Sequence, residues 1–306
     1  MRVGTYQIIE ISDSIPELPE QLGTKEKFWF HLDNSLHLFK IGRPGTGENW
    51  SEKVAAELCK LLGLPCASYK LATWKGKQGV LTPLLFPKDA HLEHGNELLA
   101  EIASGYPVEK KFGNRDHTLN RIHALLIQES FLPPLGWQPP DRAIKTAFDV
   151  FIGYLLLDTW IANQDRHHEN WGLITYQKRT YLSPTFDHAV SLGYNVQDCE
   201  REDRLRSRDK RRRMGHYVTR ARSAIYESRN DKKPLYTLNA FVQAAQKRPQ
   251  AAAAWLDRLR IVNQEDCRLI FNAFPDGYIS SSGKDFALSL LQHNRERLLN
   301  SASAGQ

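Results

Sequence analysis

The stretch that most constrains this chain is an apolar helix pattern that runs directly into a charged loop. From Asp141 to Asn163 the residues Phe148, Phe151, Ile152, Leu155 and Leu156 recur at i, i+3, i+4, i+7 and i+8, the spacing of a helix face, and Asp141 stands near its start. A helix this apolar belongs in the centre of a core. It is followed at once by "WIANQDRHHENWGLI", residues 160 to 174, where charged residues are pinned between two apolar segments. Trp160 and Trp171 flank the loop and read as core anchors.

Strand signals dominate the first 90 residues. "KFWFHLD", "LHLFKIG" and "GVLTPLLF" are rich in aromatic and branched residues, and "LDNS" supplies a turn between the first two. Between them lies "SEKVAAELCKLLGL", where Val54, Leu58, Leu61 and Leu62 mark a helix, Ser51 offers a cap and Gly63 a stop. "PKDAHLEHGNE" is polar and turn-like and reads as a linker. Beyond the loop, "GLITYQ" and "TYLSPTFD" predict two short strands, and helices follow from about Leu238 to Ala273 and from Lys284 to Leu299, with hydroxyls in "SSSG" to cap the last. The expected class is α+β and bilobal, a strand-rich lobe over residues 1–87 and a larger, mostly helical lobe over residues 88–306.

Composition narrows the rest. Mean hydropathy is −0.50 and the longest apolar runs are far too short to span a bilayer, so a cytoplasmic address is expected. Four cysteines, Cys59, Cys66, Cys199 and Cys267, lie far apart with no C-x-x-C, which argues against a disulfide framework or a thiolate zinc site. Adjacent His167 and His168 cannot easily converge on one ion; His168 and Glu169 read as exposed, and Arg166 either steadies the loop, meets a phosphate or makes a surface salt bridge. The net charge of +6 is concentrated between Asp198 and Lys233, with 13 Lys and Arg against 7 Asp and Glu. Such a run is either a solvated segment or a surface for nucleic acid or an acidic partner.

The loop carries chemistry as well as charge. Asp165 and Asn170 stand at D-x-x-x-x-N spacing, the spacing at which a phosphotransferase places a base and a metal-binding amide. Seventeen residues on, Asp187 in "TFDHAVSLG" is brought back by the expected hairpin. Asn170 and Asp187 are oxygen ligands suited to magnesium. "LFKIG" sets Lys40 at a strand end, where a lysine can hold ATP phosphates, and Glu52 or Glu57 on the next helix could pair with it; periodicity does not choose between them. The covering loop expected in "ELPEQLGTKEKFWF" has a single glycine, Gly23, beside Thr24. "LTPLLF" would lie against adenine, with Leu84, Leu85 and Phe86 supplying backbone polar groups and apolar walls. Each signal alone is weak; their order along the chain is the order of parts in a kinase.

With "GTKEKFWF", "LFKIG", "GENWSEKVAAELCKLLGLPCASYKLA", "DTWIANQDRHHENWGLI", "TFDHAVSLG" and "FALSLLQHNRERLL", the chain resembles the HipA family of serine/threonine kinase toxins over nearly its whole length. That resemblance implies a protein-kinase-like fold and an ATP- and magnesium-dependent serine/threonine protein kinase (EC 2.7.11 type). It gives Asp165 the role of base, Asn170 and Asp187 those of metal ligands, and Lys40, Glu52, Gly23, Thr24, Leu84, Phe86 and His167 places around ATP. It favours Glu52 over Glu57, and it matches His167 to a family histidine that hydrogen-bonds beneath the loop. The substrate it implies is a protein, such as an aminoacyl-tRNA synthetase, and the partner an antitoxin. Larger relatives carry an extra N-terminal subdomain, so the chain reads as a short form. Two other readings remain open: a lipid or small-molecule kinase, since these also use a D-R-H-x-x-N order, and a non-catalytic nucleic-acid-binding module built on residues 204–222.

Overall fold

A computed structural model describes residues 4–12, 18–19, 26–33 and 35–303. The expected Gly23 and Thr24 lie outside these. The chain order is β1 (Ile8–Ile11), β2 (Leu18–Pro19), β3 (Lys27–Leu32), β4 (Ser35–Ile41), α1 (Glu48–Leu62), β5 (Lys70–Trp74), β6 (Lys77–Pro83), β7 (His91–His94), α2 (Gly95–Ile102), α3 (Leu119–Leu126), β8 (Phe131–Leu132), α4 (Ala147–Trp160), β9 (Gly172–Tyr176), β10 (Arg179–Leu182), α5 (Asp198–Arg206), α6 (Met214–Tyr217), α7 (Thr237–Lys247), α8 (Pro249–Ile261), α9 (Gln264–Asn272) and α10 (Ser281–Ser303). The class is α+β.

Among the described residues the first six strands form one sheet in the order β1-β5-β6-β4-β3-β2, and the other four a second sheet in the order β7-β9-β10-β8. In the first sheet Phe28, Phe30, Phe39 and Trp74 cluster on one face. The main core lies on the other side, where α1 packs between β5 and β6 and the helices α8 and α9. Hydrogen bonds tie the end of α1 to the helical half: Arg258 donates to the carbonyls of Leu61 and Leu62, and Trp137 Nε1 to that of Gly63 at 2.9 Å. Gly63 ends the helix in the left-handed conformation (φ 76°) that a residue with a Cβ adopts only at a cost.

Helix α4 is the centre of the molecule. Each of its 14 residues is buried, as a helix apolar on every side must be. It begins later than its sequence pattern suggests. Asp141 caps only a turn, accepting the Ala143 N–H at 2.7 Å, and Thr146 and Asp149 form a reciprocal capping box at the true start.

Two other expectations are corrected. Ser51 does not cap α1, which starts three residues earlier; its buried hydroxyl donates instead to the Ser191 carbonyl at 3.1 Å. The stretch read as a linker contains β7, paired with β9, and the first turn of α2. The helical region after Leu238 is broken into α7, α8 and α9 at Pro249 and at the Asn263 cap. The basic segment, read as solvated or as a charged surface, is built into the fold at some positions and solvated at others. Arg201 is buried and bonded to Asp198 and Gly193, Arg204 pairs with Glu200, and Arg222 donates to the Pro234 carbonyl and stacks on Tyr236. Arg206, Arg208, Lys210, Arg211 and Arg213 remain exposed.

No helix among the described residues is long and apolar enough to cross a membrane.

Candidate active site

The charged loop after α4 is held from beneath. Asp158, in the last turn of α4, accepts from Arg166 Nε and Nη2 at 2.8 Å each, while Arg166 Nη1 donates to the Asn170 carbonyl at 2.7 Å. Asn163 joins the same carboxylate at 2.8 Å and accepts the Asp165 N–H at 3.1 Å. One buried carboxylate thus fixes both ends of the D-x-x-x-x-N segment. Arg166, which the sequence left equally open to a surface salt bridge, is fully buried.

Within the loop, Asn170 Nδ2 donates to the Asp165 carbonyl at 2.6 Å, which turns Asn170 Oδ1 away from that carbonyl. Glu169 donates its N–H to His167 Nδ1 at 3.2 Å. Burial pushes the His167 imidazole down to about 4, against the pull of the Asp187 and Glu169 charges. The ring is therefore neutral at pH 7 with its proton on Nε2, 3.9 Å from Asp165 Oδ1.

The hairpin β9–β10 returns the chain past this loop. Gln177 and Lys178 at its tip both have positive φ (49° and 63°), the mirror-type turn that matches strand twist. The chain then reaches Asp187, itself at φ 58°. A non-glycine residue held there carries local strain, and strain of this kind collects at functional sites. Two neighbours fix the turn. The Asp187 N–H donates to Tyr69 Oη at 3.3 Å, and the His188 N–H donates to Glu52 Oε1 at 2.8 Å. Lys40 Nζ, on β4, lies 3.4 Å from Asp187 Oδ1.

These elements enclose a cleft of about 590 Å³ whose walls include Lys40, Leu84, Phe86, Asp165, His167, Asn170 and Asp187. Glu52 stands behind the wall and is buried. Glu57 is engaged elsewhere, with Lys53 at 2.5 Å and Lys60 at 2.9 Å. The Leu84 N–H is taken by the Leu36 carbonyl at 2.9 Å, so this residue presents an apolar surface to the cleft rather than a donor.

Several cleft residues were not singled out in the sequence. Tyr69 is one: burial first, then the Glu52 and Asp187 charges, hold its phenol well above the ordinary value, so it stays protonated. The alternation of buried Ala67, Tyr69 and Leu71 ahead of Trp74 was the available signal. Exposed Phe112 is another, edge-on to His167 at 5.5 Å. His168 and Glu169 were expected on the surface. His168 is fully buried, its Nδ1 2.9 Å from Tyr106 Oη and 3.3 Å from Asn114 Nδ2. Glu169 is ion-paired with Lys111. Trp171 lies in the core, donating Nε1 to His117 Nε2 at 3.2 Å.

No family model matches the chain. The serine/threonine-protein kinase CtkA of Helicobacter pylori (strain J99) is 25% identical over 222 residues, which cover 69% of this chain and 62% of that protein, less than two thirds of its length. The crystal structure of a Helicobacter pylori proinflammatory kinase CtkA matches with a TM-score of 0.74 at 18% identity, over 97% of this chain and 98% of that one. The toxin HipA of Shewanella oneidensis MR-1, solved with HipB and operator DNA, matches with a TM-score of 0.57 at 15% identity, over 96% of this chain and 66% of that one. In sequence the chain is similar to a serine/threonine kinase, and in its α+β fold to CtkA and to HipA.

Proposed function

We propose that the chain is an ATP- and magnesium-dependent serine/threonine protein kinase. The observation that carries this reading is the convergence of Lys40, Asp165, Asn170 and Asp187, from three separate segments, on one cleft. The cleft volume is within the usual range of roughly 300–1,000 Å³ for small-molecule sites, and its Leu84, Leu85 and Phe86 wall suits an adenine ring.

The donor set fits a magnesium ion. Asn170 Oδ1 and the Asp187 carboxylate are hard oxygen ligands, few enough to leave the ion most of its waters. They would hold it, and when bound it would offset negative charge on the phosphate oxygens. Lys40 holds those oxygens from the other side and is positioned through its contact with Asp187. Glu52 acts on the same turn through the His188 N–H. Asp165 receives the proton of the acceptor hydroxyl, with neutral His167 beside it.

The division at residue 87 is part of the same reading, with the first sheet and α1 closing over the nucleotide and the remainder carrying base and metal ligands. The acceptor is a protein hydroxyl, and by resemblance a component of translation such as an aminoacyl-tRNA synthetase. An antitoxin is the corresponding partner; HipB accompanies HipA in the structure of that relative.

Calorimetric titration of magnesium and ATP into the chain tests the nucleotide half. Binding should need magnesium, disappear in Asp187→Asn and persist in Asp165→Asn. Equal loss in both variants, or binding indifferent to magnesium, would count against these roles.

A further inference from the structure

Away from the cleft, the loop after β4 meets the starts of three helices. Gly47 and Trp50 at the start of α1, Gln197 and Asp198 at that of α5, and Ser280 just before α10 all line one polar cavity of about 230 Å³. Neither α1 nor α5 has a side-chain cap. The first N–H groups of a helix have no partner inside it, and the helix dipole adds about half a positive charge there, so helix starts favour anions. Here two uncapped starts face the same space.

A second observation is independent of the helices. Arg201 and Tyr278 both line this cavity, and Arg201 Nε and Tyr278 Oη are buried without a hydrogen-bond partner among the described residues. Arg201 is only 8% exposed. Its other nitrogens are committed, Nη1 to Asp198 Oδ1 at 2.8 Å and Nη2 to the Gly193 carbonyl at 3.1 Å. The Trp50 ring lies 6.0 Å from the guanidinium carbon. Asp198 is satisfied as well, accepting also from Ser280 Oγ at 2.9 Å, so the one lining carboxylate and the one lining guanidinium cancel. Burial pushes the Tyr278 phenol up to about 12, which keeps it a donor. Buried donors left unsatisfied are costly, and the missing chemistry at both is an acceptor.

We propose that this cavity binds a small oxyanion, of the size and charge of inorganic phosphate, through Arg201 Nε, Tyr278 Oη and the starts of α1 and α5. An anion there touches the segment joining the Lys40 strand to the Glu52 helix, and so braces both. The assignment does not depend on the kinase reading.

The test is a calorimetric titration of inorganic phosphate into the full chain, with Lys40→Ala to remove phosphate held in the catalytic cleft. One phosphate should bind per chain in Lys40→Ala, and adding Tyr278→Phe, which removes only a hydroxyl, should weaken it about tenfold or more. Arg201→Lys should weaken it similarly, with thermal unfolding recorded beside it because Arg201 also bonds Gly193. Phosphate binding that Lys40→Ala abolishes would put the anion in the catalytic cleft and overturn the assignment. Binding unchanged by Tyr278→Phe, or no saturable binding, would overturn it too.

Discussion

Two acid–base pairs on either side of the charged loop behave differently. Asp158 and Arg166 are 2% and 0% exposed and joined by two hydrogen bonds, from Nε and Nη2. Asp187 and Lys40 are 33% and 11% exposed, 3.4 Å apart, with the aspartate in left-handed backbone. The first pair is closed and has no room for a ligand. The second is loosely made, at the wall of a cleft, and its carboxylate can exchange a lysine for a cation. The loop between them is anchored through its buried pair, and the proposed chemistry rests on the open one.

Removing the buried partner has the largest expected effect. Asp158→Ala leaves Arg166 charged and uncompensated, which should lower stability by about 3–5 kcal/mol, read as the urea midpoint. Replacing both residues by apolar ones of similar volume should recover much of that loss. If the single change were mild, the closed pair would not be the anchor described here.

A pH titration comes next. Burial holds His117 down to about 3 and His167 and His168 down to about 4, while an unfolded histidine titrates near 6.5. Between pH 6.5 and about 4 the unfolded chain therefore binds protons that the folded chain refuses. Stability is full above pH 6.5 and is lost as pH falls, by about 1 kcal/mol for each such histidine at pH 5.5. Urea midpoints at pH 7 and 5.5 measure the loss, and His168→Gln should reduce the pH dependence by one share whatever it does to stability at pH 7.

Tyr69→Phe removes the acceptor of the Asp187 N–H and should cost about 1 kcal/mol, with magnesium-nucleotide affinity falling alongside. Affinity unmoved by this change would mean that the turn at Asp187 holds itself. The smallest effect on the fold is expected in the open pair. Asp187→Asn should change stability by at most about 1 kcal/mol, although nucleotide binding is lost. A large loss of stability would make that pair structural after all.

Legibility in the sequence followed the range of the interactions. The helix pattern of α4, the Asp165–Asn170 spacing and the hairpin to Asp187 are written in neighbouring residues, and they could be read there. The partner of Arg166 lies eight residues upstream on α4, in a run whose periodicity marks it only as buried. His168 looked exposed beside Glu169 because nothing local says that Tyr106 and Asn114, more than 50 residues earlier, fold over it. The strand β7 was hidden in a polar string, since its pairing with β9 is made by chain 80 residues away. The pairing of β1 with β5, Ile8 opposite Leu71, is also made far along the chain.

The central claim, that the open pair and Asp165 serve phosphoryl transfer to protein, is tested most directly by incubating the chain with magnesium, γ-labelled ATP and a bacterial lysate. The account predicts label on a discrete protein band, reduced about 10²- to 10⁴-fold in Asp165→Asn at an unchanged unfolding midpoint. Label that survives the substitution, or none from a folded chain that binds magnesium and ATP, would contradict it.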